Sequence, residues 1–213
     1  MIDKVKEDGM PAIALTDHGN MFGIKEFHAA ATASGVKPIL GIEAYVARRS
    51  RFEKKERQDR SGYHLIILAK NKVGYHNLMR LASLGYIDGF YYKPRIDREL
   101  LEKHHEGLII STACLGGEVP QHIMNERWTD LDETINWYKN LFGEDYYLEV
   151  MRHKTTDPVK NADIYDNQEL CNKKILELSQ KHDVKVIATN DSHFLNEEDA
   201  DAHDLLICLN TGK

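Results

Sequence analysis

Apolar, largely β-branched runs recur near residues 12–16, 38–46, 63–69, 107–113, 145–150 and 184–189, and most are separated by stretches of helical spacing. Strands interleaved with helices predict an α/β fold. Gly35 closes the helical run from Met21 to Ala33, and Asn196 stands before Glu197 and Glu198 as an N-cap, opening a last helix toward Cys208. The chain shows no internal repeat, low-complexity tract or Pro-rich linker, so its 213 residues predict one domain over 1–213.

Polar residues gather where these apolar runs stop. Asp17 and His18 end the first run and Asp191 and His193 end the last. In α/β barrels the loops after the strands converge on one pocket, and Asp with His there suggests a metal. His18 also reads as a loop residue capping the next helix through the Asp17–Gly19 turn. Glu43 lies in an otherwise apolar strand, where an unpaired carboxylate costs several kcal/mol and therefore calls for a cation or donors. The arms GIEAYV and GYHLIILAK are expected to pair as an antiparallel hairpin, setting Glu43 opposite His64. GLIISTAC ends at Cys114, which by its own context reads more readily as an inert buried thiol than as a ligand. DYYLEVMRH adds Glu149, Arg152 and His153 as weaker candidates, while Cys171 and Cys208 are assigned to core packing.

Between the hairpin arms, residues 48–60 hold seven Lys or Arg against three acids, with Phe52 as the one apolar residue. The reading is an exposed, flexible loop, with phosphate contact as the alternative. The whole chain carries a formal charge of −6, so any nucleic-acid contact must be local. Three cysteines, with neither a signal peptide nor a long apolar span in view, suggest a reducing, cytoplasmic setting and no membrane partner.

The segments TDHGNMFG, GIEAYV, YHLIILAKN, GFYYKPRID, STACLGGEVP and ATNDSHF together resemble the polymerase and histidinol phosphatase (PHP) domain of bacterial DNA polymerase III alpha subunits. The resemblance runs along essentially the whole chain and implies a distorted seven-stranded (β/α) barrel with up to three divalent metal ions at one end. Carried over residue by residue, it implies metal ligation by His18, Glu43, His64, Cys114, Asp191 and His193, with Asp17 orienting the loop. The family also has an opening strand bearing His-x-His and a further Asp, so the chain is expected to be an N-terminally truncated part of a larger polymerase with little turnover of its own. The donor set suits zinc, manganese or iron. The implied chemistry is phosphoester hydrolysis at a DNA 3′ end, a 3′–5′ exonuclease reaction. The implied partners are DNA, downstream polymerase domains and a proofreading exonuclease subunit. The alternatives are a silent scaffold that supports the polymerase and docks that exonuclease, and, ranked last, a free-standing phosphatase.

Overall fold

The computed structural model describes residues 1–212. Seven strands form one sheet: β1 (Ala12–Leu15), β2 (Lys37–Val46), β3 (Tyr63–Ala69), β4 (Arg95–Ile96), β5 (Leu108–Ser111), β6 (Tyr146–Val150) and β7 (Lys185–Ala188). Their order is β1-β2-β3-β5-β6-β7, with β4 also paired to β2. The β1–β2, β2–β4, β5–β6 and β6–β7 pairs are parallel, and β3 runs antiparallel to both β2 and β5. Among the described residues β1 and β7 do not pair, and the sheet curls into a half-barrel.

The helices are α1 (Ile2–Glu7), α2 (Ile24–Ala33), α3 (Lys72–Ile87), α4 (Arg98–His104), α5 (Glu118–Met124), α6 (Trp128–Phe142), α7 (Pro158–Lys160), α8 (Asp166–His182) and α9 (Ala200–Thr211). Asn71 and Asp97 cap α3 and α4 by accepting from backbone N–H groups three residues on, which fixes where each helix begins. The Gly35 stop holds at φ +74°, although α2 starts at Ile24, three residues later than the run suggested. Asn196 opens a short 3₁₀ turn with a capping box to Asp199, and α9 follows.

β2 is the organising strand. From Gly41 onward all its residues are buried, as a strand covered on both faces requires. Ile42, Ala44, Leu65, Ile67, Ile110 and Leu148 of the sheet pack with Leu78 and Leu81 of α3, Val119 of α5, Ile135 of α6 and Ile175 of α8 in one core. Burying each of these Ile, Leu and Val side chains contributes roughly 1.5–3 kcal/mol. A smaller cluster of Val5, Ala31 and Val36 seats α1 and α2 beyond β1.

Four expectations need correction. The hairpin forms, but its register sets Glu43 opposite Ile66 and His64 opposite Tyr45, two residues from the expected pairing. β4, within GFYYKPRID, is a strand too short for periodicity to reveal. Cys208 is exposed, because the face of α9 that carries it with Leu205 and Leu209 lies on the surface. Residues 48–60 are largely exposed as expected but are anchored rather than loose, since the buried Arg51 donates to the carboxylate of Asp97 at 2.8 Å and its backbone N–H donates there at 3.0 Å. Asp59 accepts from the Arg49 guanidinium at 2.7 Å and from the backbone of Lys55 and Glu56. Arg95, 1% exposed, donates to the carbonyls of Gly89, Glu53 and Arg51 and so staples this segment to the loop before β4.

Candidate metal centre

The site grows out of the backbone ladder. Beyond the end of β1, Glu43 N–H donates to the Asp17 carbonyl at 3.1 Å and Gly19 N–H donates to the Glu43 carbonyl at 2.9 Å, which places His18 beside Glu43. Gly19 then turns at φ +68°, where a Cβ would stand 2.7 Å from Pro94 and 3.3 Å from the Tyr45 ring. The Asn20 side chain bridges the His18 carbonyl and the Phe22 N–H, closing the loop into helix α2. On the other side of β2, His64 N–H donates to the Gly116 carbonyl at 3.0 Å, tying the start of β3 to the loop after β5.

Three donor groups meet there. His18, Glu43 and His64 each offer a ligand atom within 4.8 Å of the others. His64 Nδ1 lies 2.6 Å from one Glu43 oxygen and His18 Nδ1 lies 3.5 Å from the other. Although Glu43 and His64 are not directly opposed in the ladder, a two-residue offset keeps both on one face of the sheet, so the diagonal contact forms.

Cys114 adjoins this cluster, with Sγ 3.7 Å from Glu43 Oε1 and 3.5 Å from His64 Nδ1. Ala113 before it has φ +59° and donates its N–H to Glu149, a backbone conformation that the β5–β6 contact must hold in place. Gly116 lies so close that a Cβ would stand 3.1 Å from the His64 ring. The Asp191–His193 loop closes the other flank: the His193 ring lies 6.0 Å from that of His18, and Asp191 takes φ +46°.

Charge explains what the cluster lacks. Burial pushes the Glu43 carboxyl up, but the His64 hydrogen bond and the neighbouring imidazoles outweigh it and leave it below its ordinary value. Burial holds His18 below its ordinary value despite Glu43, so it is neutral at pH 7. Burial and the Glu43 charge push the Cys114 thiol up to about 12. The groups against Glu43 are imidazoles and the Cys114 thiol, so among the described residues a buried carboxylate sits beside nitrogen and sulfur donors with no lysine or arginine paired to it. Such a donor set fits a divalent cation.

Of the weaker candidates, Glu149 is buried and structural: it accepts from Ser111 Oγ at 2.6 Å, from Thr189 and from Ala113 N–H, joining β5, β6 and the end of β7. Arg152 pairs with Glu169 on the surface. His153 donates through Nε2 to the Asn190 carbonyl at 2.6 Å and is held by Gln168, so it braces the Asp191 loop. Sequence reasoning missed Tyr45, whose ring stacks on His18 at 5.8 Å and meets His64 edge-on at 5.3 Å. Its place two residues beyond Glu43 on the same strand face was the available signal.

A family model described as the PHP domain matches residues 1–153. The chain is 46% identical over 213 residues to the DNA polymerase III subunit alpha of Borreliella burgdorferi and 44% identical over 201 residues to that of Thermus aquaticus. These alignments take in 100% and 93% of this chain and 18% and 16% of the relatives, so the chain spans under a fifth of their length. In fold it is similar to a Bifidobacterium adolescentis protein provisionally named a metal-dependent phosphoesterase, at TM-score 0.51 and 14% identity, covering 91% of this chain and 81% of that one.

Proposed function

The chain belongs to the PHP domain family, and on that premise we propose that it is the metal-binding hydrolytic domain of a DNA polymerase III alpha subunit, acting on a DNA 3′ end. The observation that carries the reading is the buried carboxylate of Glu43 set between His18 and His64 without a permanent cation. His18, Glu43 and His64 would hold the ion, with Cys114, Asp191 and His193 completing the set from the flanking loops. A divalent cation there supplies charge neutralisation for a phosphoryl group and a more acidic water. The chain's own part is to hold the donors in place by the β2 and β3 ladders and to keep His18 uncharged at neutral pH, so that its nitrogen lone pair stays available.

A second reading, in which the domain supports the polymerase and docks a proofreading exonuclease without hydrolysing anything, is favoured by one observation. Asp191 and His193 stand outside the group of donors that already converge. Elemental analysis of the full-length protein purified without chelator separates the two. The hydrolytic reading expects near-stoichiometric zinc, manganese or iron that Glu43→Gln removes, together with loss of metal-dependent 3′–5′ hydrolysis of a labelled oligonucleotide. Absence of metal from the parent protein overturns it and leaves the scaffold.

A further inference from the structure

A strip of exposed rings leads from open surface to the metal cluster. Phe22, Tyr86, Phe90 and Tyr92 are 83%, 40%, 50% and 60% exposed. Single exposed apolar residues are ordinary, but Phe22, Tyr86 and Phe90 are large and in ring contact in succession. Tyr86 stands between Phe90, stacked at 6.0 Å and 18°, and Phe22, at 6.5 Å. Phe22 in turn is tied to the site, its N–H donating to the Asn20 side chain, which donates to the His18 carbonyl. The succession Phe90, Tyr86, Phe22 therefore ends on the loop that carries His18.

Cations run beside the rings. The Arg60 guanidinium lies 4.9 Å from the Tyr92 ring and Lys93 Nζ lies 5.6 Å from that of Tyr45. Segment 48–60, whose Arg60 reaches the Tyr92 ring, has its acids already engaged. Glu53, Glu56 and Asp59 all pair with Arg49, and Arg51 is taken up by Asp97 and Glu99. Lys54, Lys55 and Arg57 are left without a carboxylate partner among the described residues, in a chain whose overall charge is −6.

We propose that this strip seats the unpaired nucleotides of a single-stranded nucleic acid. Bases stack on the Phe90, Tyr86 and Phe22 rings, phosphates lie against Arg60 and Lys93, and the strand's end points to His18. Aromatic faces beside a cationic track are what sequence-independent single-strand binding requires. A flat apolar protein face would strip water from Arg60 and Lys93 without pairing them, whereas phosphates pair both. Delivery of the end to His18 rests on the hydrolytic reading above; seating of the strand does not.

The test uses the full-length protein and a 5′-fluorescein oligo-dT of about 12 nucleotides, followed by anisotropy in EDTA so that neither metal nor hydrolysis enters. Phe90→Ala and Phe22→Ala are each expected to weaken binding about tenfold, Phe90→Tyr to retain it, and Arg60→Gln to lower the salt dependence by about one counterion. Unchanged affinity in both alanine variants overturns the proposal and assigns the strip to contact with another part of the polymerase. If Phe90→Ala disturbs folding, seen as a lowered melting temperature, the almost wholly exposed Phe22 decides. Retained single-strand binding in a protein that holds no metal leaves the strip standing and removes the hydrolytic reading, so the two fail separately.

Discussion

Glu43 and Asp59 are both buried carboxylates on one hairpin, the first within β2 and the second in the segment that joins it to β3, yet they are satisfied in opposite ways. Asp59 has a permanent partner: the Arg49 guanidinium and two backbone N–H groups saturate its oxygens and draw its pKa down to about 2. Glu43 has the His18 and His64 imidazoles and the Cys114 thiol against it, none of them a permanent cation. A buried acid that is fully paired within the chain is a fastening; one left with neutral nitrogen donors is an open coordination sphere. Glu149 is a third solution, met by hydroxyls and one backbone N–H, which suits a carboxyl tolerant of its proton.

The comparison breaks first at Glu43. Glu43→Gln should lower metal affinity by more than the roughly 10- to 100-fold typical of a residue one shell out, with only a small fall in the metal-free melting temperature, because the imidazole pairing that holds its carboxyl below the ordinary value is weakened. Titration calorimetry with manganese or zinc and a metal-free thermal melt check both halves. If Asp59→Asn had the same signature, the distinction would fall. Instead it should lower the melting temperature and expose residues 48–60 to trypsin while leaving metal affinity intact, since it takes the charge from Arg49's shortest ion pair and breaks the capping box with Glu56.

A smaller effect sharpens the two sides of the site. His18, Glu43 and His64 are held by strand pairing, whereas Asp191 sits on a loop braced by His153 through the Asn190 carbonyl. His153→Ala should therefore cost about 1 kcal/mol in stability and lower metal occupancy about tenfold without changing the fold. Equal occupancy in the two proteins would mean that the loop contributes no ligand.

How much of this was legible follows from what each residue depends on. Six strands, their alternation with helices and the α/β class were legible because apolar periodicity reports burial directly. The hairpin was legible too, but its register was not: the turn is not the short symmetric one that fixes pairing, because residues 48–60 fold back through Arg51 and Asp97, a contact spanning 46 positions. That same contact made a charged stretch read as flexible, since composition cannot show that Asp59 and Asp97 await two of its arginines. Glu43 announced itself as a lone acid in an apolar run, and Tyr45 did not, because an aromatic in a strand looks like core until its ring is seen against His18.

The smallest effect has a sign that only the comparison predicts. Asp59 is held below its ordinary value, so its contribution to stability is present above about pH 4 and is lost as the pH falls toward 2. Glu149 goes the other way. Burial raises its carboxyl, opposed by Ser111, Thr189 and the Ala113 N–H, with the Asp191 charge adding to the rise. Its contribution is therefore complete below the ordinary glutamate range and is lost as the pH climbs through its raised value. Glu149→Gln, whose amide oxygen can accept from Ser111 and the Ala113 N–H while its NH2 donates to the Thr189 hydroxyl, should leave stability nearly unchanged at pH 4 and gain on the parent protein as the pH rises to 7. Asp59→Asn should lose over the same interval, from below pH 4 upward. Denaturant midpoints of the three proteins between pH 3 and 7 decide it: parallel curves for the two variants would mean that the two carboxylates are equivalent, and that Glu149 belongs with the fastenings.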